Sequence, residues 1–177
     1  MTATALVTRP ETGEYVPYYD RYISLVSGEN ILAMLDDQLP QTLALLSACS
    51  EEKSGFRYEP GKWSIRDVVG HMVDTERIMS YRALRIARND KTPIEGFEQD
   101  DYVRYGPFAN TTLANLLKEF GHVRRATVSL FASLDSDAWM RRGTANGNEI
   151  SVRALAYIIA GHELHHRKIL KDKYLAG

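Results

Sequence analysis

Apolar positions recur at intervals of three and four residues over four stretches of the chain, residues 29–49, 64–88, 111–134 and 151–174. That spacing lays one apolar stripe along an α-helix. No stretch carries the steady alternation of a half-buried strand, so the pattern predicts an all-α protein. Ser64 stands before the second helix with Asp67 three residues on, a capping pair, and Trp63 is placed to staple against Val68. Thr111 or Thr112 opens the third helix and Ser151 the fourth. Pro40 falls inside the first, where the missing backbone donor predicts a kink near Leu39.

Residues 1–27 read as an irregular arm with Pro10, Pro17 and a tyrosine cluster (Tyr15, Tyr18, Tyr19, Tyr22). Those rings would pack across the helices with their hydroxyls in water. The connection over residues 89–110 is longer than a turn between antiparallel neighbours requires. A connection of that length can cross a bundle, which lets helices two and three run parallel. Asn146-Gly147 marks a turn between helices three and four. The expected architecture is a single domain over residues 1–177: a four-helix bundle with a long crossover connection between helices 2 and 3.

Composition narrows the functions. A chain of 177 residues with 44% hydrophobic and 25% charged residues can bury a core without covalent staples. Lys+Arg (22) and Asp+Glu (23) nearly cancel, leaving no overall field to hold nucleic acid. The single cysteine, Cys49, cannot close an intrachain disulfide, which fits a reducing compartment. Its apolar setting reads as a small buried hydrophobe rather than a catalytic thiol. The opening MTATALVTRPETGEY lacks the basic and apolar regions of a signal peptide. No apolar run approaches the ~20 residues of a membrane span. The expectation is a cytoplasmic protein without a membrane partner.

The histidines carry the chemistry. At about 100° per residue, His162 and His166 lie one turn apart near the centre of the stripe formed by Leu155, Ile158, Ile159, Ile169 and Leu170. Two imidazoles in a core stripe need partners, and a chelated cation satisfies both at once. A tetrahedral site then needs a third protein ligand and often leaves the fourth place to water. His71, beside Gly70 on the flank of helix two's apolar face, is the best candidate. Gly70 would let another element approach closely. His122 projects away from its own stripe and is excluded.

Two other metal chemistries fit less well. His162-Glu163-Leu164-His165-His166 matches the zinc-protease pattern H-E-x-x-H, but no histidine follows His166 to complete it. Glu119-x-x-His122 and Glu163-x-x-His166 would suit a di-iron bundle, but His122 points outward. What survives is a mononuclear three-histidine site open to one exogenous ligand.

At this point the chain resembles the DinB/YfiT-like family of metal-binding four-helix bundles. The resemblance covers nearly the whole chain. It rests on residues 61–71 (GKWSIRDVVGH), on Thr75-Glu76-Arg77, and on Gly161-His162-Glu163-Leu164-His165-His166. The family's three metal ligands match His71, His162 and His166. The resemblance implies a divalent ion, zinc or nickel, a homodimer, and a small-molecule substrate. It also implies either transfer of a low-molecular-weight thiol to an electrophile or hydrolysis. A coordinated thiol or water becomes a nucleophile at neutral pH, and nothing in the sequence chooses between them. The alternative is a non-catalytic module whose ion pins helix two to helix four.

Other polar residues are less decisive. Asp67 and Asp74 could orient the second nitrogen of His71, although capping and solvation explain them more simply. Arg82, Arg85 and Arg88 suit the helix dipole, and could also bind an acidic cofactor. Glu163 stands open between a general base and a packing salt bridge.

Overall fold

Side-chain caps start the long helices where the sequence places them. Ser64 and Asp67 exchange hydrogen bonds of 3.1 and 2.9 Å with each other's backbone N–H groups. Asn30, Thr112 and Ser151 each accept from a backbone N–H three residues on. The computed structural model describes residues 7–176. In chain order its helices are α1 (Asp20–Ile23), α2 (Ile31–Ser47), α3 (Glu51–Ser54), α4 (Ile65–Ala87), α5 (Gln99–Tyr105), α6 (Leu113–Ala132), α7 (Ser136–Met140) and α8 (Val152–Ile169). A π-helical turn, Leu170–Tyr174, extends α8. α2 continues through Pro40 as one helix.

Side-chain pairs give the helix directions. Arg66 reaches the Thr111 carbonyl and Glu76 meets Arg124, so α4 and α6 run parallel. Trp63 meets Tyr174 and His71 meets His162, so α8 runs antiparallel to α4. Gln38 pairs with Ala160 and Thr42 with Glu163, so α2 runs with α8. The order is down, up, up, down, and the long connection between α4 and α6 spans the bundle as its length predicts.

Three parts of the sequence reading need correction. The arm is not irregular throughout: a 3₁₀ turn, Pro17–Tyr19, leads into α1. Its first six residues lie outside the described ones, as does most of the apolar part of the N-terminal stretch weighed as a signal peptide. The long connection carries α5 and a 3₁₀ turn, Phe108–Asn110. Between α7 and α8 stands an antiparallel hairpin, β1 (Arg142–Ala145) with β2 (Asn148–Ser151). Asn146 and Gly147, at φ 51° and 72°, make the two-residue turn that such a hairpin requires. The strands are too short to show alternation.

The core is divided. One apolar cluster gathers Ile31 and Leu35 of α2, Met79 to Ala87 of α4, Phe131 of α6 and Val152 to Ala160 of α8. The other gathers Leu39 and Leu46, Ile65 to Val73, Leu113 to Phe120, and Leu170 with Tyr174. Between them each long helix interrupts its stripe with buried polar residues: Gln38 and Thr42, Thr75 and Glu76, Arg124 and Thr127, His162 and Glu163. Because α4 and α6 climb while α2 and α8 descend, these interruptions meet at one depth. Apolar burial at about 25 cal/mol per Å² holds the two ends, and hydrogen bonds must satisfy the middle. Among the described residues no helix is long and apolar enough to cross a membrane.

Candidate metal centre

His71 lies in the second turn of α4, and His162 and His166 occupy successive turns of α8. Their Nε2 atoms converge. His162 Nε2 stands 3.0 Å from that of His71 and 3.1 Å from that of His166. All three are buried, and one ring nitrogen from each lies within 4.8 Å of the other two. Burial pushes His71 down to about 4, with His165 adding to the effect. Burial and the neighbouring histidines push His162 and His166 well below the ordinary imidazole value.

Neutral rings meeting in this way pose a bonding problem. A neutral imidazole offers one donor and one acceptor nitrogen. Three Nε2 atoms turned on one point cannot satisfy one another with protons, because a proton shared by two leaves the third unpaired. A single cation accepts all three lone pairs, and neutral imidazole nitrogens are suitable ligands for a divalent metal. The donor set fits.

The surroundings hold the rings in place. The Trp63 ring lies 4.7 Å from that of His71, and Tyr174 Oη donates to the Trp63 carbonyl at 2.7 Å. The Tyr22 ring packs edge-on against His162 at 5.2 Å. Gly161 makes that contact possible, since a Cβ there would sit 2.1 Å from the Tyr22 carbonyl oxygen. Gly70 likewise admits the Phe108 ring, which would lie 2.3 Å from an added Cβ. Thr75 Oγ1 stands 3.5 Å from His71 Nδ1. Asp67 is taken up by the helix cap and Arg57, and Asp74 pairs with Arg77. His122 is exposed, away from the cluster.

Glu163 has a structural partner. Arg124, wholly buried, meets Glu76 through two bonds of 2.8 Å and reaches Glu163 at 2.6 Å. Thr42 Oγ1 donates to Glu163 at 2.5 Å. The carboxylate is therefore part of a buried ion-pair network, with Thr42 on Oε1 and Arg124 beside Oε2.

A cavity of about 370 Å³ opens beside His71 and His162. Tyr18, Tyr19 and Tyr22 wall one side, so the tyrosine cluster packs and also lines a pocket. Arg82 lines it too, only 2% exposed, which corrects the reading of this residue as a partner of the helix dipole. Arg85 pairs instead with Asp90 at 2.6 Å, and Arg88 is exposed. The hairpin tip forms a roof. Asn146 N donates to Ile94 O at 2.8 Å and Ile94 N to Thr144 O at 2.9 Å. A Cβ on Gly96 would lie 2.3 Å from Asn146 Oδ1, so the glycine lets the tip seat. Cys49 is absent from this lining. It is half-buried rather than buried, and burial pushes its thiol up.

The family model described as the DinB superfamily matches residues 34–170, which include all three clustered histidines. The chain belongs to the DinB superfamily. This DinB chain is 26% identical over 167 residues to a protein of Oceanobacillus iheyensis named "putative metal-dependent hydrolase". The match covers 93% of this chain and 86% of that one. Its fold is that of YfiT from Bacillus subtilis, described as "a probable metal-dependent hydrolase with an unusual four-helix bundle topology". The TM-score is 0.69 at 14% identity, over 92% of this chain and 89% of that one.

Helical periodicity places His162 and His166 on one face of the DinB chain's α8 and offers His71 as the best third candidate, and the structure brings the three together. The sequence names Arg82 only as one of three arginines near a helix end, and it does not reveal the roof. Arg82 continues the face of α4 that carries His71, Thr75 and Met79, a signal present in the sequence but masked by the charges around it.

Proposed function

We propose that His71, His162 and His166 together hold one divalent ion, zinc or nickel, and that the chain is a metal-dependent hydrolase of a small molecule admitted to the adjoining cavity. The convergence of three buried Nε2 atoms beside that cavity carries the proposal. A divalent ion held by these histidines would supply Lewis acidity for activating water.

The chain's own residues supply the geometry. The two α8 histidines and His71 would supply three ligand nitrogens, while Trp63 packs against the His71 ring and Tyr22 packs edge-on against His162. Arg124 and Thr42 hold Glu163 in the polar layer beside the histidines. An open side on a cavity favours a reactive ion over a purely structural one, which would be closed by a fourth protein ligand. A thiol could occupy the same position, but no cavity residue favours it and the relatives' names are hydrolase names.

Elemental analysis of the purified chain tests this, followed by hydrolysis of a panel of small esters and amides with and without chelator. The expected result is one ion per chain and turnover that disappears on chelation. A metal-free protein, or turnover indifferent to chelator, would overturn the proposal. Turnover only with an added thiol would move the assignment to transfer.

A further inference from the structure

We infer that Arg82 is the anion-recognition residue of the cavity and that the substrate is a small organic monocarboxylate. The inference rests on the proposed metal reading for the reacting end of the ligand, and on Arg82 for the other end. The Arg82 side chain is buried, yet no carboxylate among the described residues pairs with it. Its Nη2 donates to the Glu95 carbonyl at 2.9 Å, and its Nη1 faces the Met79 sulfur at 3.8 Å. Its Nε finds no hydrogen-bond partner. The Phe97 ring stands 5.8 Å away, and the Tyr19 hydroxyl is a neighbour.

A buried cation without a counter-ion is unfavourable, and removing one member of such a pair usually destabilises a fold. The other buried arginines of this chain are answered in full: Arg124 by Glu76 and Glu163, Arg153 by Glu14. Arg82 differs in that it borders open space. An anion entering that space supplies the missing charge.

Placement sets the length of the ligand. Arg82 follows His71 by eleven residues, about 16 Å along the helix axis. Long helical side chains lean towards the N-terminus, so the guanidinium is drawn back towards the histidines and the span is shorter. A molecule with a carboxylate at one end and a reactive group at the other fits this arrangement. Arg82 is the single Lys or Arg among the lining residues, and Glu98 faces the same space from the exposed rim. With the proposed ion left to the reacting end, one further cation and a rim carboxylate suit a monoanion better than a doubly charged phosphate.

The test uses the metal-loaded chain with benzoate, its neutral isostere benzamide, and phenyl phosphate as probes. Binding is followed by calorimetry and by the Nε–H resonance of Arg82 in ¹⁵N-labelled protein. Benzoate is expected to move that resonance and to bind about tenfold or more tighter than benzamide. R82Q should remove this preference and R82K retain part of it, with metal content and helix content unchanged. Equal binding of benzoate and benzamide to the native chain would overturn the inference without recourse to a variant. So would unchanged benzoate binding by R82Q, or benzoate binding lost on chelation with the Arg82 resonance unmoved. Tighter, Arg82-dependent binding of phenyl phosphate would replace the carboxylate assignment. If the chain holds no metal but benzoate still engages Arg82, the metal reading fails and the anion site stands.

Discussion

His162 Nε2 lies within 3.1 Å of two other imidazole nitrogens, which makes it the middle member of the cluster. Alanine at His71, His162 or His166 should each lower bound metal by at least about tenfold, while His122→Ala should leave it unchanged. Metal content by plasma mass spectrometry checks this, and full loading of His71→Ala would remove that residue from the site. Arg124 serves a different purpose, holding two carboxylates in the polar layer. Replacing it with alanine leaves Glu76 and Glu163 buried and unpaired, so about 3–5 kcal/mol of stability should be lost in urea titration. The histidine trio was legible because two members share one helix face and the third has a clear place on another. The role of Glu163 was not, since a helical wheel shows direction but not the arginine on a facing helix. Arg82 reads first as suiting the helix dipole, with binding of an acidic cofactor second, because its burial shows only once the elements around it are placed.

At the scale of elements, the N-terminal segment is tied to the start of α8 by one carboxylate. Glu14 accepts from Ser151 Oγ at 2.6 Å and from Arg153 Nε at 2.8 Å, and pairs again with the Arg153 Nη2 group. Burial alone would raise its carboxyl, but the bonds from Arg153 and Ser151 outweigh burial and bring it down to about 2. A carboxyl lowered on folding stabilises the native state above its unfolded value and loses that contribution on protonation. The tie should therefore hold above pH 4.5 and weaken as pH falls from 4.5 towards 2. Protection against hydrogen exchange along residues 14–26, normalised to the intrinsic exchange rate at each pH, should fall across that window in the native chain. Glu14→Gln should show low protection already at neutral pH, with little further change on acidification. The capped helices were readable because each cap is local. α1, α5 and the hairpin were not, since each is short and depends on distant partners: α1 on Gly161, the hairpin tip on Ile94 and Gly96.

At the scale of the molecule, two apolar clusters hold the bundle above and below its polar layer. Removing an ion from that layer withdraws only the linkage free energy of binding, and the apolar clusters remain. Chelation should therefore abolish turnover, lower the melting temperature by a few degrees, and leave far-ultraviolet circular dichroism nearly unchanged at room temperature. Loss of helix on chelation would mark the ion as a structural staple. The down, up, up, down order was foreshadowed by the length of residues 89–110, although the meeting of four polar interruptions at one depth required the directions of all four helices.

The polar layer also sets an order of events during synthesis. His71 and His162 are separated by 91 positions, and Ser151 and Glu14 by 137. At about 5–20 residues per second, translation needs several seconds to carry the chain from one histidine to the other. During that interval α4 and α6 can pair through Glu76 and Arg124, but the proposed metal site has only His71 and the cavity lacks Ile158 and His162 of α8. Because α8 follows the other three long helices in the chain, its emergence completes both apolar clusters, the ion-pair layer and the histidine trio together. Under the proposed assignment, capture of an ion waits for α8, and a protein truncated before His162 keeps only one of the three histidines.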